Sequence, residues 1–107
     1  MSIIRNFSIT GTANTAVALK DPVNAQANRT PAAWAVIQAA KGNTGSVYVG
    51  GTPAPTNGTT TTNTVELAKG DSLTLPAMGI ADSYDLSTVF MNVDTNGDKV
   101  RVVYGRA

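Results

Sequence analysis

The sequence contains no cysteine and no histidine. The first absence excludes a disulfide framework, a thiol nucleophile and a thiolate metal site, and leaves the redox compartment unread. The second removes the commonest general base and a frequent metal ligand. Charge is sparse as well. Asp, Glu, Lys and Arg make up 14% of the 107 residues, against about 25% in ordinary soluble domains. The net charge of +1 shows no basic excess, which argues against a nucleic-acid partner. No apolar run approaches the roughly 18 residues of a membrane helix. The start, Met1 to Phe7, lacks the long apolar stretch of a signal peptide. From these absences we expect a single domain over residues 1–107, with no enzymatic activity, no cofactor, no metal and no membrane partner.

Polarity is carried instead by Thr, Asn, Ser and Gln. Interface cores are depleted of charge, so this composition suits a protein packed against neighbours. The apolar runs are short, β-branched and punctuated by turn residues. They predict strands near residues 3–9, 15–20, 34–40, 46–50, 63–68, 72–75, 87–93 and 99–104. The stretch Pro31 to Ala40 is the ambiguous one, because its alanines with Trp34, Val36 and Ile37 also fit two helical turns. Its length and the following Gly42 favour a strand. Eight or so short strands with polar turns predict an all-β antiparallel β-sandwich or small barrel, a jelly roll being one common solution.

Two hairpins are expected. Asn96-Gly97 is the preferred pair for a type I′ turn, where both central residues need positive φ. A two-residue loop there sets Asp94 opposite Lys99, Val93 opposite Val100, Met91 opposite Val102 and Val89 opposite Tyr104. One face is then Val89, Met91, Val93, Val100, Val102 and Tyr104. A three-residue loop, Lys69 to Asp71, likewise pairs Leu67 with Leu73 and Val65 with Leu75. The Thr-rich stretch 52–62 is long for a structureless connection and is expected at a surface.

Asp94, Asn96 and Asp98 have the spacing that opens a calcium loop. That pattern next requires glycine at 99 and glutamate at 105, where this chain has Lys99 and Gly105, so a turn is the better reading. Most remaining acids fall in predicted turns, where Asp is favoured for local hydrogen bonding. Trp34 and the tyrosines could stack on a glycan. Aromatics dominate small cores, so Trp34 and Tyr104 are expected to fill the core while Tyr48 lies on a strand face.

The order Asn43-Thr44-Gly45-Ser46-Val47-Tyr48-Val49-Gly50-Gly51, then Leu67-Ala68-Lys69-Gly70-Asp71-Ser72-Leu73-Thr74-Leu75, then Tyr84-Asp85-Leu86-Ser87 and Asp98 to Gly105, resembles small β-rich virion proteins of tailed bacteriophages. The resemblance covers residues 34 to 105 through short motifs. Head decoration (cement) proteins are the most similar in size. The resemblance implies a structural protein on the capsid exterior, bound to the major capsid protein and to copies of itself as a homotrimer. A tail or neck ring component, or a glycan-binding fibre or baseplate module, is the alternative. A carbohydrate-binding domain of a cellular enzyme is a third class, weakened because no partner domain or linker is seen. For the cement reading, the expected partner-contacting residues are Ile3, Ile4 and Phe7, in an N-terminal arm over residues 1–10, with Phe90 and Val103.

Overall fold

The computed structural model describes residues 3–24, 29–51, 64–77 and 84–106. They form an all-β fold of antiparallel strands: β1 (Ile3–Thr10), β2 (Val17–Ala18), β3 (Pro31–Ala32), β4 (Trp34–Ala39), β5 (Val47–Gly50), β6 (Val65–Leu67), β7 (Ser72–Leu75), β8 (Tyr84–Asp85), β9 (Phe90–Val93) and β10 (Lys99–Arg106). A single 3-10 turn, Leu86–Thr88, precedes β9. Each of the eight expected strand positions carries a strand, and β3 and β8 add a short pair of their own. Pro31 to Ala40 is extended, as its length and Gly42 imply. Burial in β4 alternates residue by residue, with Ala35, Ile37 and Ala39 fully inside; a helical period would not produce this.

Two four-stranded sheets carry the fold, with orders β1-β10-β4-β7 and β2-β9-β5-β6. Their inward side chains share one core. The first sheet supplies Ala35, Ile37, Ala39, Val100, Val102 and Tyr104; the second supplies Val47, Val49, Leu67, Met91 and Val93; Leu19 and Leu86 join from the connections. The pairs β1·β10, β2·β9, β4·β7 and β5·β6 are the rungs of one long antiparallel ribbon. Rolling that ribbon up adds the contacts β10·β4 and β9·β5.

Neither expected hairpin forms. β9 lies in the second sheet and β10 in the first, and β6 and β7 are divided in the same way. Residues 94–98 and 68–71 are corners between the sheets. At the first corner the Asp98 N–H donates to the Thr95 carbonyl at 3.2 Å. Gly97 alone has positive φ, +91°, so the turn is of the type II kind and not type I′. At the second the Asp71 N–H donates to the Ala68 carbonyl at 2.9 Å, with Gly70 at φ +85°. The face expected along the first hairpin is nevertheless the core face: Met91, Val93, Val100, Val102 and Tyr104 are all buried. Alternation sends the same residues inward whether two strands share a sheet or face each other across a sandwich. The hairpin that does form is β5·β6, closed by the stretch that includes the Thr-rich segment. Residues 52–63, on which the expectation of a surface loop falls, lie outside the described residues.

Candidate functional site

Three of the five expected contact residues sit on β1, which pairs along its whole length with β10. The register aligns Ile4 with Gly105 and then Trp34 across the first sheet, and Asn6 with Val103, Val36 and Thr74. The next row is Ser8, Arg101, Gln38 and Ser72, and then Thr10 with Lys99. These residues form the face turned away from the core. Ile4 is 68% exposed and Val103 40%. The face is thus graded, with Ile4, Trp34, Val103 and Val36 at one end and Arg101 and Lys99 at the other. A shallow depression lined by Asn6, Ser8, Arg101 and Val103 opens on it.

The other expected residues are placed differently. Ile3 is exposed at 49% but lies at the start of β1 on the alternate side from Ile4. Phe7 points inward and meets Tyr104 edge to face, with ring centroids 5.9 Å apart and planes at 74°. It serves the core and offers little to a partner. Phe90 is half-buried in β9 of the second sheet, against Ala18 and Gly50 in register. The structure therefore brings Ile4 and Val103 together and separates Phe7 and Phe90 from them. Trp34 and Val36 complete the patch in their place. Trp34, expected in the core, is half-buried on the outward face, its indole lying over Gly105 so closely that a β-carbon there would run into it. The signal was in the strand itself: Trp34, Val36 and Gln38 alternate with the inward Ala35, Ile37 and Ala39, so both sides of β4 start apolar.

Two of the three tyrosines are poor stacking platforms. Tyr48 and Tyr104 are 6% and 1% exposed. The Tyr104 hydroxyl donates to Asp21 Oδ2 at 2.6 Å. Asp21 Oδ1 accepts from the N–H groups of Val23 and Asn24 at 2.9 and 3.0 Å, and Oδ2 also accepts from the Asn24 side chain at 3.2 Å. Burial pushes the Asp21 carboxyl upward, but the bonds from Tyr104, Val23 and Asn24 outweigh it and hold the group below its usual range. Burial pushes Tyr104 up to about 12, helped by the hydrogen bond to Asp21 and that carboxylate's charge; Arg5 opposes the rise. Thr30 extends the cluster, its hydroxyl accepting from the Asp21 N–H at 3.0 Å and its own N–H donating to Asp85 at 3.0 Å.

The Asp94-Asn96-Asp98 run does not converge on a point. Asp98 accepts from the N–H groups of Thr44 and Gly45 at 2.9 and 2.8 Å. Asp94 Oδ2 accepts from the Tyr48 hydroxyl at 3.2 Å, and Asn96 Oδ1 from the Ala13 N–H at 2.7 Å. The Asn43 side chain accepts from the Lys99 N–H and donates to the Lys99 carbonyl, both at 2.8 Å, like one more residue of a strand. Asp98 thus staples the β4–β5 loop, Asp94 strand β5 and Asn96 the β1–β2 connection to the corner between β9 and β10. Asp98 is 5% exposed, so its charge is held by backbone donors instead of water. Among the described residues, no three of the Asp and Glu side chains group as a metal ion would need. No protein family, no curated protein and no solved structure matches the chain.

Proposed function

We propose that the chain is a structural virion protein that binds the outer surface of a phage capsid and stabilises it, with the major capsid protein and other copies of itself as partners. The observation that carries this reading is the outward face of the first sheet, where Ile4, Trp34, Val103 and Val36 form an apolar band across β1, β10 and β4 in a chain poor in charge. The rolled-ribbon strand order supports reading the sandwich as a jelly roll. The binding mechanism is mechanical. Each copy stays on the shell only while the subunits beneath it keep their closed arrangement, so opening the shell must also break the contacts of every bound copy. Repetition over a symmetric shell multiplies modest individual interfaces.

The test is co-sedimentation with tail-less heads of the phage that carries the protein. Saturable binding is expected, lost on Val103→Lys while the melting temperature of the free protein stays within about 4 °C, since an exposed position changes stability by at most roughly 0.5 kcal/mol. Binding to purified tails or to glycans, with none to heads, would transfer the assignment to the ring or fibre class. The burial of Tyr48 and Tyr104 speaks against the glycan reading.

A further inference from the structure

We infer that two copies of this chain pair through the free edge of β1, forming one continuous eight-stranded sheet about a two-fold axis. Four edges bound the two large sheets: β1, β7, β2 and β6. Soluble proteins blunt such edges with shortness, charge or proline. β2 has two residues. β6 has three and carries Glu66. β7 has four and runs into Pro76. β1 has eight residues, Ile3–Thr10, with no proline and no lysine. Among the described residues it pairs with β10 alone.

The direction of its free groups follows from the ladder. The Gly11 N–H donates to Asp98, and Ala33 and Ala40 donate to the Gly105 and Lys99 carbonyls. Odd-numbered residues of β10 therefore face β4 and even-numbered ones face β1. By the same alternation, odd-numbered residues of β1 bond to β10. The N–H and C=O groups of Ile4, Asn6, Ser8 and Thr10 line the open edge.

A second copy satisfies this edge in a way that a charged partner would not. The single charged side chain of β1, Arg5, is turned to Tyr104, so the edge offers neither attraction to a charged strand nor repulsion to its own copy. Antiparallel self-pairing centred on Asn6 sets Ile4 opposite Ser8 of the second copy and Ile3 opposite its Ile9. It makes about six inter-strand hydrogen bonds, two for each bonded pair. Equal parity keeps the two cores on the same side, so the apolar bands of the two copies join into one surface. The exposed Ile3 and Ile4 lose water in the process. This arrangement does not rest on the capsid reading, and it replaces the three-fold copy number that the resemblance implies with a two-fold one.

Native mass spectrometry of the purified chain at low micromolar concentration is expected to show a dimer. Asn6→Lys places like charges opposite each other at the axis without altering the backbone, and should convert the dimer to monomer with an unchanged circular dichroism spectrum. Thr74→Lys, on the same face but at the far edge, should leave the dimer intact. In the dimer, the amides of Ile4, Asn6 and Ser8 should exchange at least ten-fold more slowly than in the Asn6→Lys monomer. A monomer or a trimer for the unaltered chain, or a dimer indifferent to Asn6→Lys, would overturn the pairing.

Discussion

Replacing Tyr104 by phenylalanine deletes one buried hydroxyl and leaves the ring against Phe7. The lost bond is short, 2.6 Å, and runs to a carboxylate that keeps its other donors from Val23 and Asn24. A hydrogen bond to a charged group contributes about 1.5–3 kcal/mol, so the variant should be less stable by about 2 kcal/mol at neutral pH. For a domain of this size that lowers the melting temperature by roughly 8–16 °C. The deficit should also depend on pH. In the folded chain Tyr104 titrates at about 12 against an ordinary 10.0. Between those values the unfolded state ionises while the folded state keeps its proton, so stability falls as pH rises. The contribution is complete below pH 10 and lost through pH 12, up to about 2.7 kcal/mol for a shift of about two units. The phenylalanine variant has no such loss at this site, so its deficit should shrink toward zero. Urea unfolding of both proteins at half-unit steps from pH 8 to 11.5 measures the difference directly. Parallel stability curves, or a neutral-pH deficit under about 0.5 kcal/mol, would refute the reasoning.

Asp98→Ala removes the acceptor for Thr44 and Gly45 and should cost about 3 kcal/mol in chemical denaturation. Asp98→Asn, which can satisfy only one of the two donors, should fall between. Gly105→Ala should force the Trp34 indole off the sheet, at about 1–3 kcal/mol. Trp34 is the only tryptophan, so a red-shifted emission maximum would report its expulsion, and an unchanged spectrum would contradict the packing described.

The sequence disclosed strand positions and inward faces but not strand partners. Periodicity of two marks which side chains go inside, and Met91, Val93, Val100 and Val102 obeyed it. It carries no information on whether consecutive strands bond to each other or separate into facing sheets. Asn96-Gly97 looked decisive for a hairpin, yet of the two only Gly97 takes positive φ, and the Asn96 side chain accepts from the distant Ala13 N–H. The polar staples were invisible for a related reason. Asp21 and Asp98 read as ordinary turn residues and Asn43 carried no structural reading, while their partners lie 83, 54 and 56 positions away. Of the outward apolar band, Ile4 and Val103 were among the residues read from the sequence, and both are exposed on one face of the first sheet. Trp34 was misplaced because its size was weighed above the alternation of β4, which sets it on the side opposite Ala35, Ile37 and Ala39, over Gly105.

The ladder between the first and last strands, from Ile3·Arg106 to Thr10·Lys99, has a consequence for the time before the protein exists as a folded object. β1 and β10 pair although about 90 residues separate them, so a long stretch of chain must be ordered before β1 gains its partner, and such high contact order makes folding slow. On a ribosome adding about 5–20 residues per second, β1 waits roughly 5–20 s for β10 to emerge. Through that interval Phe7 and Ile9, which pack on the core in the folded chain, remain uncovered. Neighbouring nascent chains on one message then present identical unfilled places to one another. Two chains that exchange their first strands at this stage would finish as a swapped pair, so the rate of release from the ribosome becomes a determinant of how the copies are joined.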